Sequence, residues 1–144
     1  MSVKFSSIDV GVELPELSIP ITRSLIVTTA IASRDYQDVH HHHELAQDRG
    51  SKDIFMNILT TNGLVGRYVT DWSGPKGHIR EVNIRLGAPN YPDDTMVMTG
   101  QVASVEAIAD DPTRKMVVVA IRGSNSLGDH VTGTVRITVP GADH

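Results

Sequence analysis

The 144-residue chain carries 13 Lys and Arg against 17 Asp and Glu, a net charge of −4 with neutral histidine. At 40% hydrophobic and 21% charged residues it has the composition of one globular domain, 1–144, rather than of a disordered segment. The acidic balance argues against non-specific nucleic-acid binding, and the absence of cysteine excludes disulfides, thiolate nucleophiles and cysteine-ligated metals.

No apolar run approaches the roughly 20 residues that span a bilayer, and the stretch from Met1 to Ser7 has no apolar leader segment. A cytoplasmic domain without membrane contact is the expectation. From Val3 to Ile21 the pattern is extended. Leu14, Leu17 and Ile19 are interrupted by Pro15 and Pro20, which fit an edge strand or arm but neither a helix interior nor a central strand. Thr22 then stands where a helix N-cap would, before Leu25, Ile26, Thr29 and Ala30 at helical spacing. The β-branched run Ile26-Val27-Thr28-Thr29 equally suits a strand.

His42 to Gln47 reads as a short helix ended by Gly50. A long, mostly apolar helix follows, from Ile54 towards Val69, with Asp53 as its cap. Its low charge predicts a helix that other elements wrap, and Gly63 and Gly66 inside it predict close approach by a neighbour. After the turn cluster at 73–77 the hydrophobic period falls to two. Strands are predicted around Val82–Leu86, Thr95–Val105, Met116–Arg122 and Val131–Val139, with a hairpin loop at Gly123 to Gly128. One long helix with four or so antiparallel strands behind it is an α+β layer arrangement, satisfied by a hot-dog fold: a curved antiparallel sheet around a central helix near 54–70.

The densest polar cluster runs from Ser33 through Asp35 and His40 to Glu44, and three readings compete for it. It can be a solvated surface loop. It can be a metal site, although adjacent histidines cannot all face one ion and no His-Glu-x-x-His spacing is present. Or Asp35 and His40 can converge on one water, the imidazole titrating near neutral pH and the carboxylate accepting a hydrogen bond from the same water.

The stretch Ser33-Arg34-Asp35-Tyr36-Gln37-Asp38-Val39-His40, continued to Ala46, resembles the hydratase motif of MaoC-like hot-dog enzymes, Ser-Gly-Asp-x-Asn-Pro-[Ile/Leu]-His-x-Asp-x-x-x-Ala. Ser33, Asp35, His40 and Ala46 match it, and Val39 is a conservative match. The departures are Arg34 for the glycine, Gln37-Asp38 for Asn-Pro, and Met56-Asn57 where the family's His-Gly opens the central helix. Within the family the similarity is greatest to the small catalytic subunits of actinobacterial steroid side-chain enoyl-CoA hydratases. It rests also on Gly50 to Thr60, Arg67 to Trp72 and Leu127 to Thr132.

The resemblance implies hydration of a trans-2-enoyl-CoA by Asp35 and His40, with no cofactor beyond the CoA of the substrate. It implies an oxyanion donor among the backbone N–H groups of Met56 and Asn57, and substrate-binding or supporting roles for Ser33, Arg34, Gln37 and Asn62. It also implies a second MaoC-like subunit without the catalytic pair, in a heterotetramer, with a homodimer as the other possibility. A hot-dog acyl-CoA thioesterase and a non-catalytic partner subunit are the alternative functions. Arg67, Lys76 and Arg80 are candidates for CoA phosphate contacts or for plain solvated charge. His130 can approach the site or serve structure, and Trp72 suits the core or an interface.

Overall fold

The structure, a computed structural model, describes residues 3–143. Strand β1 (Glu13–Ile21) opens the fold and lies at one edge of the sheet, with its prolines as expected of an edge strand. Thr22 then caps helix α1 (Arg23–Ala32), its hydroxyl accepting from the Leu25 N–H at 3.0 Å, so the ambiguous β-branched run is helical. A one-turn 3-10 helix at Asp38–His40 and the short α2 (His43–Asp48) precede the long helix α3 (Ile58–Ser73). Strands β2 (His78–Leu86), β3 (Asp94–Ala107), β4 (Arg114–Asn125) and β5 (Gly128–Pro140) complete the chain.

All pairings are antiparallel, in the order β1-β3-β4-β5-β2, so β1 and β2 are the edges. Every ladder carries one register shift, and such bulges bend and twist strands. Val65, Tyr68, Val69 and Trp72 of α3 belong to the same buried cluster as Met98, Val119, Val135 and Ile137 of the sheet. This is the expected hot-dog arrangement, and Trp72 is part of its core.

Two expectations about the long helix need correction. It begins at Ile58, capped by the Asn57 carboxamide oxygen at 3.0 Å from the Thr60 N–H, rather than at Ile54. Residues 54–57 are held out of helical geometry from both sides. Phe55 N–H donates to the Val39 carbonyl and Met56 N–H to that of Asn90, both at 3.1 Å. Asp53 caps nothing in α3; its carboxylate binds Arg23 and His43 instead.

The helix is also wrapped on one face only, for Ile58 and Leu59 are half exposed. A methyl group placed on Gly63 would meet nothing within 4 Å, and one on Gly66 would make only ordinary contact with Ile79 at 3.8 Å. The close approach predicted for these glycines is absent among the described residues, because Gly63 lies on the uncovered side. Among the described residues no helix is long and apolar enough to cross a membrane.

Candidate active site

The end of α1 sets the position of Asp35. Arg34 N–H donates to the Ile31 carbonyl and Asp35 N–H to that of Ala30, both at 2.9 Å, which is the paired bonding of a Schellman helix end. That motif needs a left-handed residue, and Arg34 supplies it at φ 57°, where the family pattern has glycine. Helix α2 ends in the same way with Gly50 at φ 95°. The departure at Arg34 therefore preserves the backbone path at a cost of about 1 kcal/mol for an L-residue.

His40 sits on the 3-10 turn, 6% exposed, with its Nδ1 2.6 Å from the Phe55 carbonyl. A carbonyl only accepts, so Nδ1 carries the proton and Nε2 is turned towards Asp35, 3.2 Å from Oδ2. The Phe55 ring stands edge-on to the imidazole, with centroids 5.0 Å apart.

Asn57 closes the cluster. Its Nδ2 donates to Asp35 Oδ2 at 3.1 Å and to Ser33 Oγ at 2.9 Å, while the Ser33 hydroxyl is held by the Thr29 carbonyl at 2.8 Å. Partial burial pushes the Asp35 carboxyl up, but the Asn57 amide, the Gln37 N–H and His40 outweigh it and hold the group below its ordinary value. Asp35 is thus an anion at neutral pH, beside a His40 ring whose Nδ1–H is fixed by the Phe55 carbonyl.

Asp35, His40, Phe55 and Asn57 line a cleft of about 330 Å³ with Ile58, Leu86, Pro89 and His130. The Asn57 N–H, at the positive N-terminus of α3, takes no acceptor among the described residues and is available for a developing negative oxygen. Met56 is not: its N–H is committed to Asn90, which leaves Asn57 as the open donor of the two expected.

Of the other residues singled out, Ser33 joins the cluster. Gln37 contributes its backbone N–H, 3.3 Å from Asp35 Oδ1, and its side chain is exposed. Asn62 folds back onto the Ile58 carbonyl at 3.2 Å and is absent from the cleft lining. Arg67 lies 3.4 Å from Asp71, and Arg80 donates to Thr138 Oγ1 at 3.4 Å. Among the described residues no three His, Asp or Glu side chains converge as metal ligands.

His130 lies on the opposite wall, 3% exposed. Its Nδ1 is 2.7 Å from the Ala88 carbonyl and its Nε2 2.8 Å from Thr61 Oγ1. Burial pushes its pKa down against the Ala88 bond, so it is neutral with both nitrogens satisfied. Sequence reasoning missed Asn90, fully buried, which receives Met56 N–H on its carbonyl and Asn125 Nδ2 on its side chain at 2.8 Å.

Comparison with known proteins gives the family and the fold. The chain is 48% identical over 130 residues, 90% of its length and 95% of the other, to the 3-oxo-4,17-pregnadiene-20-carboxyl-CoA hydratase beta subunit of Mycobacterium tuberculosis. The chain belongs to the MaoC-like hot-dog hydratases. A crystal structure of the ChsH1-ChsH2 complex from Mycobacterium tuberculosis contains a chain of the same fold, with TM-score 0.83 and 47% identity over 91% of this chain and 98% of that one. The MaoC-like dehydratase of Rhodospirillum rubrum shares the fold at 17% identity, with TM-score 0.84 and 99% of both chains covered. No family model matches the sequence.

Proposed function

We propose that this MaoC-like chain is the catalytic subunit of an enoyl-CoA hydratase that adds water across a trans-2-enoyl-CoA to give a 3-hydroxyacyl-CoA. The observation that carries it is the Asp35 carboxylate 3.2 Å from His40 Nε2, in one cleft with the open Asn57 N–H. A water held between Oδ2 and Nε2 has one partner to take its proton as its oxygen bonds to the β-carbon. The displaced π electrons move towards the thioester oxygen, where the Asn57 N–H and the helix N-terminus stabilise the charge. Collapse of this enolate takes a proton from the pair at the α-carbon, and the pair ends in its starting state. Each hydrogen of the water is then accounted for, one on the new hydroxyl and one on the α-carbon.

The substrate class is a steroid side-chain enoyl-CoA, a reading supported by the name of the 48%-identical relative. The acyl group would extend past Ile58, Leu86 and Pro89, which give the cleft apolar walls. The partner is a second MaoC-like chain in a heterotetramer, supported by the two-component complex that contains the similar crystallographic chain. The uncovered face of α3 and the edge strand β2 are surfaces such a partner would cover. The acidic, cysteine-free composition fits a cytoplasmic enzyme.

The test is turnover of short-chain and steroidal enoyl-CoA by the chain with and without its partner, for wild type, Asp35→Asn and His40→Ala. Each substitution is expected to lower turnover on the order of 10²-fold or more. Rates within a few-fold of wild type would remove both residues from the chemistry.

A further inference from the structure

We propose that the Asn57 side chain is a positioning residue, a clamp that fixes the Asp35 carboxylate against His40 and ties it to the helix end that receives the thioester oxygen. The inference rests on the hydration reading and deepens it. Asn57 is 2% exposed and each of its side-chain polar atoms is used twice. Its Oδ1 takes the Thr60 N–H at 3.0 Å and the Thr60 hydroxyl at 2.5 Å. Its Nδ2 gives one proton to Ser33 Oγ and the other to Asp35 Oδ2, the oxygen that faces His40.

The residue type separates a clamp from a simple helix cap. Asn, Asp, Ser and Thr all cap N-termini with a side-chain oxygen. Only asparagine caps with its oxygen while keeping two N–H donors to turn outward. Serine or threonine is too short to span from the cap to Asp35, and aspartate would set a second carboxylate beside the first, where like charges oppose ionisation. The family's glycine would keep the backbone donor and lose the clamp. In this chain one residue thus carries both the oxyanion N–H and the bond that orients the catalytic carboxylate.

The other groups around Asp35 leave that bond distinct. His40 faces it from the 3-10 turn and His41, just after that turn, acts on it more weakly; Gln37 contributes only a backbone N–H, to Oδ1. Asp38 on that turn is paired with Arg49 at 2.8 Å. Across the cleft, His130 has both ring nitrogens engaged elsewhere. Arg34 is exposed at the helix end. The Asn57 amide is therefore the side-chain donor that holds the carboxylate in its charged form.

The experiment follows the Asp35 carboxyl by ¹³C NMR titration in the assembled protein, beside the pH profile of kcat/KM, for wild type, Asn57→Ser, Asn57→Gly and Asn57→Asp. Asn57→Ser keeps a good cap and is expected to melt near the wild-type temperature. In the serine and glycine variants the Asp35 titration should rise by about one pH unit, the worth of one hydrogen bond to a charged group. The acid limb of kcat/KM should move up with it, and the loss of rate should shrink at higher pH. Asn57→Asp should move the titration further in the same direction. An unmoved Asp35 titration in both the serine and glycine variants, with any rate loss equal at all pH values, would overturn the clamp. Should wild type turn over no enoyl-CoA, the hydration reading fails by itself, and the carboxyl titration still decides whether Asn57 holds Asp35.

Discussion

The two walls of the cleft each hold a buried histidine, anchored in the same way and partnered differently. His40 and His130 both present Nδ1 to a backbone carbonyl, at 2.6 Å and 2.7 Å. What differs is the partner of Nε2. On His40 it faces a carboxylate 3.2 Å away that is 24% exposed, whereas on His130 it is closed by the Thr61 hydroxyl at 2.8 Å. A fixed Nδ1–H is thus common to both, and chemistry needs in addition a charged neighbour and room for a water. His130 instead ties β5 to the loop after β2 and to α3, and so sets the far wall of the cleft.

Replacing each histidine by alanine separates the two roles. His40→Ala should lower turnover on the order of 10²-fold or more in a chain that still folds, as steady-state assay and circular dichroism would show. His130→Ala should act chiefly on stability. It leaves the Ala88 carbonyl and Thr61 hydroxyl unpaired beside a new cavity, a loss of about 2–4 kcal/mol measurable by denaturant unfolding. A stable His130→Ala protein as inactive as His40→Ala would break the distinction and place both histidines in the chemistry.

Smaller effects test how the His40 wall is built. Arg34→Gly removes the left-handed cost at the end of α1 and should stabilise the fold by about 0.5–1 kcal/mol, read from the denaturation midpoint. Unchanged turnover in that variant confines Arg34 to its backbone role; a loss would bring its guanidinium into the site. The smallest effect is at the outer rim, where Arg23 grips Asp53 with two bonds of 3.0 Å and 2.8 Å and His43 adds a third at 2.7 Å. The Arg23 guanidinium holds the Asp53 carboxyl far below the usual carboxylate range. A depressed carboxyl contributes its full stability above its unfolded pKa, near 4, and loses it progressively as the pH falls from there through the lower folded value. Arg23→Ala should therefore cost about 1 kcal/mol or less at pH 7, and its difference from wild type should narrow at pH 3, as unfolding curves at the two pH values would show.

The same two walls show what the sequence could reveal. Asp35 and His40 were visible because they stand five positions apart in a stretch that resembles the hydratase motif; their spacing alone left a surface loop and a metal site open, while the Thr22 cap and the prolines of β1 are plain local signals. The start of α3 was not legible. Ile54 to Met56 is as apolar as the helix after it, and what bars helical geometry is bonding to Val39 and Asn90, both outside the segment. The far wall was hidden for the same reason, since His130 meets Thr61 and Ala88, 69 and 42 residues away in sequence. Asn57 was marked for its backbone N–H alone. Its side-chain role depends on Ser33 and Asp35, 24 and 22 residues earlier, which meet it only once α1 and α3 have packed.

If Asp35 and His40 place one water oxygen on the β-carbon of an enoyl-CoA, mass spectrometry of the products formed in H₂¹⁸O by the assembled protein will find it there. Expected is a 3-hydroxyacyl-CoA that carries one ¹⁸O on its hydroxyl and keeps its thioester, formed by wild type and lost in both Asp35→Asn and His40→Ala. Free CoA with ¹⁸O in a released carboxylate would make the protein a thioesterase, and labelled hydroxyacyl-CoA formed at full rate by either variant would contradict the assignment of the pair.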